Sequence, residues 1–176
     1  MAECFLSNGL PAFEIVGLPD AAVKESGQRV DTAIQNSGLP FQQGIFVVNL
    51  APADLRKQGP GFDLPIALGM VAGVAEKEMD ASAWCIVGEL ALDGTVRPVQ
   101  GILPQIMEAR RMGRKRIMLP QANAYEGTPV QGVESLSRFF PERSLAFAYF
   151  RRPAASIYRF RARGPCSTGQ RRRCGF

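Results

Sequence analysis

The chain has 176 residues, of which 46% are hydrophobic and 21% are charged, and it carries a formal net charge of +5 and no histidine. This length suits one ordinary domain with a hydrophobic core, or one domain plus a tail, and it excludes a multidomain machine. The lack of histidine excludes Ser-His-Asp and Cys-His catalysis and histidine-liganded metal sites. Because no apolar run approaches the roughly 18 residues of a membrane span and no export signal opens the chain, we expect a cytoplasmic protein without membrane contact.

The positive charge is concentrated at the C-terminal end. Residues 139–176 carry nine Arg and one Glu, whereas residues 1–138 carry 12 basic and 15 acidic residues. A basic tail can bind phosphates by releasing counterions, but this one shows no helical or strand period. We therefore expect a domain at residues 1–138 and an Arg-rich tail at residues 139–176 that is disordered or read out of frame.

The first half of the chain predicts three short strands and two helices. Residues 2–6 and 12–16 are β-prone runs around a turn-forming group, which favours a hairpin. Asp20 then caps a helix that ends at residues 36–38. Its inner face is Ala21, Val23, Val30, Ala33 and Ile34, and its outer face is Lys24, Glu25, Gln28, Arg29 and Asp31. Residues 45–50 form a central strand, and residues 66–75 form a buried helix with Asp63 near its start.

The second half continues the alternation of strands and helices. Strands are predicted at residues 84–87 and 90–92, with Asp93-Gly94 as a tight turn. An amphipathic helix follows at residues 101–112, with Ile102, Leu103, Ile106 and Ala109 facing inward. Residues 116–119 and 130–133 are further strands around a short turn or helix at 122–126, and Ser135 caps a last helix. The result is an α+β domain with a mixed sheet covered by helices. Cys85 is a buried thiol within an apolar run.

Two glycine-containing segments invite a phosphate-binding interpretation. In the first, Gly59 and Gly61 precede a helix, but Asp63 at the helix start repels phosphate. In the second, residues 164–171 have the glycine spacing of a Walker A loop, but Gln170 replaces the required Lys. Neither segment predicts nucleotide binding, and we expect no cofactor for this chain.

Two charged groups are candidate functional sites. The loop residues Asp54, Arg56, Lys57 and Asp63 could form a carboxylate-lysine site, although a salt-bridged loop that holds the strand-to-helix crossover is the simpler interpretation. Five cations crowd the end of the later helix, where they match the helix dipole and could contact nucleic acid or an acidic partner. They are Arg110, Arg111, Arg114, Lys115 and Arg116.

Several longer motifs resemble the N-terminal domain of the ComM/YifB family of magnesium-chelatase-like ATPases. They are residues 7–13 (SNGLPAF), 15–25 (IVGLPDAAVKE), 48–57 (VNLAPADLRK), 61–69 (GFDLPIALG) and 88–94 (GELALDG), followed by Arg97-Pro98-Val99. The resemblance implies a domain of the Lon-protease type that precedes an AAA+ module using ATP and Mg. Characterised members are hexameric DNA helicases that promote branch migration during natural transformation.

The resemblance also permits a residue-level test for peptidase activity. Lon-type proteases use a Ser in a Gly-Pro-Ser-Ala-Gly turn and a Lys on a later helix, and alignment places Gly61 and Gln105 at those positions. Neither a nucleophile nor its base remains, so the family's proteolytic chemistry does not carry over. We expect a non-catalytic accessory domain, truncated before its motor, that self-associates or contacts the AAA+ module and is a candidate for DNA contact. The alternatives are a hydrolase using Lys57 with Asp54 or Asp63, and a nucleic-acid-binding protein acting through the Arg tail.

Overall fold

The computed structural model describes residues 2–75, 81, 83–124 and 131–133, which form an α+β fold as predicted. Short 3₁₀ turns at Pro60–Phe62 and Gln121–Asn123 separate some of the elements. In chain order the described strands and helices are β1 (Ala2–Ser7), β2 (Ala12–Val16), α1 (Ala21–Asn36), β3 (Ile45–Leu50), α2 (Asp63–Val74), β4 (Trp84–Ile86), β5 (Glu89–Leu90), β6 (Val96–Arg97), α3 (Ile102–Arg111), β7 (Arg116–Pro120) and β8 (Gln131–Val133).

The mixed sheet has the order β1-β3-β2, so the predicted central position of β3 is confirmed. The predicted hairpin of the first two strands is wrong. β1 runs antiparallel to β3 and β2 runs parallel to it, which leaves β1 and β2 on opposite edges. β3 buries Phe46, Val48 and Leu50, and its backbone groups are paired along both edges. α1 supplies the crossover from β2 to β3 that a parallel pair requires.

Helix α1 begins and ends as its sequence predicts. The Asp20 Oδ1 atom accepts a hydrogen bond of 2.8 Å from the Val23 amide, which caps the first turn. At the other end the backbone reverses through Gly38, whose φ of 64° suits glycine. Ser26 and Gly27 extend the buried face that was predicted from Val23, Val30, Ala33 and Ile34, whereas Ala21 is exposed.

The remaining described strands form two further small sheets. β4, β7 and β8 are parallel in the order β4-β7-β8, and β5 and β6 form the predicted hairpin around Asp93-Gly94. The hairpin turn is closed by a hydrogen bond of 2.9 Å from the Ala91 amide to the Thr95 carbonyl. Helix α3 lies within one residue of its predicted bounds and buries Ile102, Ile106 and Ala109. Leu103 was predicted to face inward, but it is 58% exposed.

Two apolar clusters form the core. The larger cluster joins the mixed sheet to α1 and α2, and α2 is buried along almost its whole length. The smaller cluster holds α3 against β4 and β7 and includes Cys85 and Val87. Burial raises the pKa of the Cys85 thiol to about 11, in agreement with its predicted role as a small hydrophobic side chain.

Within the described residues no helix is both long enough and apolar enough to cross a membrane. The predicted Ser135-capped helix, the domain boundary at residue 138 and the Arg-rich tail lie outside the described residues, as do Cys166 and Cys174.

Candidate functional site

The loop between β3 and α2 is fastened to the start of α1 by backbone groups. The Lys57 amide donates to the Leu18 carbonyl at 3.1 Å, and the Asp20 amide donates to the Lys57 carbonyl at 3.0 Å. The second oxygen of Asp20 accepts from the Gly59 amide at 3.1 Å. One carboxylate therefore caps α1 and holds the loop at the same time.

The Lys57 side chain is buried in this loop and is only 6% exposed. Its ammonium group donates a hydrogen bond to the Pro52 carbonyl. Burial lowers the pKa of Lys57, and the nearby carboxylate of Asp54 partly opposes this effect. Asp54 and Arg56 are exposed, and neither forms an ion pair with a described residue. The loop is thus held by backbone hydrogen bonds, by the Asp20 carboxylate and by the Lys57 ammonium group, and not by the predicted salt bridges.

Asp63 belongs to a different group of side chains from Lys57. It is fully buried at the start of α2, where its Oδ2 atom accepts from the Arg29 Nε at 2.9 Å and from the Leu90 amide at 3.2 Å. Its Oδ1 atom accepts from Arg29 Nη2 at 3.1 Å and from the Ser26 hydroxyl. With both oxygens occupied in this way, Asp63 does not serve as the carboxylate partner of Lys57.

The sequence prediction missed Ser26 and placed Arg29 on the outer face of α1. Arg29 instead turns toward the core, and its hydrogen bond to Asp63 raises the pKa of the guanidinium group. One signal was present in the sequence. Ser26 lies between Val23 and Val30 on the buried stripe of the helix, and a hydroxyl at such a position requires a polar partner inside the fold.

The two positions aligned with the Lon-type dyad border the smaller apolar cluster. A β carbon at Gly61 would lie 3.2 Å from Val87 Cγ1 and 3.5 Å from Val99 Cγ1, so its described surroundings are apolar. Gln105 lies on α3, beside the Ile106 that packs into the same cluster. Its Oε1 atom is buried and has no hydrogen-bond partner among the described residues. The alignment of Gly61 and Gln105 with the Lon-type dyad stays a prediction, and neither residue carries a nucleophile or a base.

The residues around Gly61 do not suit ATP or Mg. The Gly61 carbonyl accepts a 3.0 Å hydrogen bond from the Gly88 amide, and the Leu64 amide donates to the Gly88 carbonyl at 3.0 Å. The Gly61 carbonyl and the Leu64 amide are thus used within the fold, and the buried Asp63 carboxylate lies between them in the chain. The described part of the chain also contains no group of three or more acidic or Cys residues that could hold a metal ion.

The five cations near the end of α3 have different surroundings. Arg111 pairs with Glu108 at 2.7 Å, which lowers the pKa of that carboxyl, and the guanidinium of Arg116 lies 5.2 Å from the Trp84 ring centroid. Arg114 is half-buried, whereas Arg110 and Lys115 are exposed and pair with no described carboxylate. Arg110 and Lys115 are thus the pair most available to a polyanion.

The fold and these positions can be compared with known proteins. The family model described as subunit ChlI of Mg-chelatase matches residues 2–123. The chain belongs to this Mg-chelatase subunit family. It is 45% identical over 131 residues to the competence protein ComM of Haemophilus influenzae, covering 73% of this chain and 25% of that protein. It is 46% identical over 127 residues to the uncharacterized protein YifB of Salmonella typhimurium, covering 70% of this chain and 24% of that protein.

A more distant similarity supports the Lon-type fold. The chain is 26% identical over 100 residues to Lon protease 2 of Bacillus subtilis, covering 57% of this chain and 18% of that protein. The resemblance to ComM and YifB that was drawn from the motifs is therefore confirmed. The chain spans about a quarter of the length of these two relatives.

Replacement of Asp63 by Ala tests the buried ion pair. We expect Asp63→Ala to lower the free energy of unfolding by about 3 kcal/mol, because Ser26, Arg29 and the Leu90 amide lose their shared acceptor. Urea denaturation followed by circular dichroism measures the change. Glu25→Ala is the control, since Glu25 contacts the same Arg29 at 3.7 Å but is 73% exposed, and we expect a cost below about 0.5 kcal/mol. Equal losses in the two variants would contradict this role.

The buried amine of Lys57 predicts a pH dependence of stability. The folded chain favours the neutral amine, so between the lowered pKa and the ordinary value of 10.5 the unfolded chain binds more protons. The contribution of Lys57 to the free energy of unfolding should therefore rise with pH across this interval. The buried thiols of Cys4 and Cys85, whose pKa values burial raises to about 12 and about 11, contribute in the opposite direction above about pH 9, so the contribution of Lys57 is read as a difference between variants. Urea titrations from pH 7 to 10 should give a more positive slope of the free energy of unfolding against pH in the native chain and in Lys24→Met, whose amine is exposed, than in Lys57→Met. Equal slopes of the free energy of unfolding against pH in all three proteins would contradict a lowered pKa of Lys57.

Proposed function

We propose that this chain is a non-catalytic accessory domain of a ComM/YifB-type AAA+ ATPase. The observation that carries the proposal is the match of residues 2–123 to the Mg-chelatase subunit family, together with relatives about four times as long as the matched segment. The valine-lined surroundings of Gly61 support a structural role rather than peptidase chemistry. ATP and Mg belong to the motor module of the full-length family in this proposal. The full-length protein would be a DNA helicase acting in branch migration during natural transformation.

The alternative of a hydrolase is weaker. It needs Lys57 beside Asp54 or Asp63, but the Lys57 ammonium is bound to the Pro52 carbonyl and Asp63 is bound to Arg29. A general base also needs a path to a substrate, and both side chains are almost fully buried.

A domain replacement tests the proposal. In the chimera, the 131-residue segment of Haemophilus influenzae ComM that matches this chain is replaced by the matching segment of this chain. We expect the chimera to keep its ATP hydrolysis and DNA unwinding, and a deletion of the same segment to lose hexamer assembly, measured by light scattering. The 176-residue chain alone should hydrolyse no ATP. Turnover by the isolated chain, or full assembly and unwinding by the deletion variant, would contradict an accessory role.

A second proposal concerns direct contact with DNA through Arg110 and Lys115. The observation in its favour is that these two side chains are exposed at the end of α3 and pair with no described carboxylate. Each phosphate contact contributes close to one unit to the slope of log affinity against log salt concentration. Arg111 and Arg116 would contribute less, since Glu108 and Trp84 already engage them.

Binding of the full chain to fluorescent DNA tests this contact. We expect the double variant Arg110→Ala, Lys115→Ala to reduce the salt slope by about two units. Arg97→Ala is the control, because Arg97 is equally cationic and 61% exposed but lies on the β5-β6 hairpin. Deletion of residues 139–176 measures the share of the tail. Binding that disappears only with the tail would assign the contact to the tail and not to α3.

A further inference from the structure

Strand β2 presents an unpaired edge within the part of the chain that the structure describes. β2 lies at one end of the β1-β3-β2 sheet. The Ala12 amide donates to the Gly44 carbonyl on the β3 side at 3.1 Å. Backbone groups alternate along a strand, so the amides and carbonyls of Phe13 and Ile15 point away from β3. No described strand pairs with them.

A cleft of about 430 Å³ adjoins the start of this edge and lies against α1. Its lining includes the aromatic side chains of Phe13, Phe41 and Phe46, and the last two rings are stacked with centroids 6.4 Å apart. Helix α1 contributes polar and charged residues, among them Lys24, Gln28 and Asp31. The cleft is therefore apolar at its aromatic wall and polar along the helix.

Helix and strand approach each other closely beside the cleft. Gly27 of α1 is buried against the ring of Phe13, and a β carbon at Gly27 would overlap that ring. The glycine fixes a narrow separation between α1 and the face of β2 from which the Phe13 side chain projects. A segment added to β2 would direct alternate side chains toward this same face.

We propose that the β2 edge and the adjoining cleft bind an extended polypeptide segment of a partner protein, which pairs with β2 as an additional strand. The outward amides and carbonyls of Phe13 and Ile15 match the alternating donors and acceptors of an extended backbone, which a helix does not present. An apolar side chain of the segment enters the cleft against the aromatic rings. Lys24 and Asp31 carry opposite charges, so the segment is selected by an apolar anchor flanked by polar residues and not by its net charge.

Amide hydrogen exchange with defined peptides tests this binding mode. The probes are seven-residue peptides with an acetylated N-terminus and an amidated C-terminus. They have Thr at every second position and are identical except for one central residue, which is Phe, Leu, Glu or Arg. We expect the Phe and Leu peptides, at concentrations up to about 1 mM, to bind the 176-residue chain saturably and to slow exchange of the Phe13 and Ile15 amides about tenfold. A Phe peptide with its alternate amides N-methylated keeps the apolar anchor but loses the backbone donors, and should bind at least about tenfold more weakly.

A matched pair of variants separates the cleft from the rest of α1. Gln28→Trp fills the cleft from an exposed helix position and should weaken binding of the Phe peptide about tenfold. Glu25→Trp places the same side chain on an exposed position of α1 that does not line the cleft, and should leave affinity unchanged. Circular dichroism confirms that both variants keep the native fold.

Four results would overturn the proposal. They are no saturable binding of the Phe or Leu peptide, equal affinity for the N-methylated peptide, equal weakening by the two Trp variants, and binding without protection of Phe13 and Ile15. A fifth is a free chain that sediments as a dimer with these two amides already protected. That result would assign the edge to a second copy of this chain.

Discussion

The buried ion pair between Asp63 and Arg29 is the constraint on which the described fold depends. A carboxylate with no exposed surface is stable only when its oxygens are fully hydrogen-bonded. Asp63 meets this condition with groups from α1 and from the Leu90 amide in β5. One side chain in the first turn of α2 thereby fixes the positions of α1 and of the β5-β6 hairpin. The same network keeps Asp63 from acting as a catalytic carboxylate.

The position of α1 has consequences for the surface. α1 is held on one side by Asp63 and at its start by Asp20, which also binds the loop through the Gly59 amide. Gly27 then brings the helix against Phe13, and the sheet ends at β2. A rigid helix beside a strand edge forms a groove whose width the core determines. The cleft beside β2 lies along this groove, whereas the described surroundings of Gly61 are apolar side chains.

Much of the fold could be predicted because its signals are local. Asp20, the Gly38 reversal and Asp93-Gly94 act on their immediate neighbours, so α1 and the β5-β6 hairpin appear where the sequence places them. The nearly continuous apolar run of β3 predicts a central strand because such runs are typical of strands with a neighbour on each side. The sequence motifs also identified the family, because several long motifs in a fixed order distinguish one family from another better than amino-acid composition does.

Pairings between distant segments could not be predicted in this way. The sequence by itself determined α1, α3, the β5-β6 turn, the α+β class and the family. Tertiary structure alone decided that β3 enters between β1 and β2, that Arg29 turns inward to Asp63, that Lys57 binds the Pro52 carbonyl and that Leu103 faces outward. The physical reason is that strand order and the burial of a charge depend on which distant backbone and side-chain groups remain to be paired, and a local pattern does not contain that information.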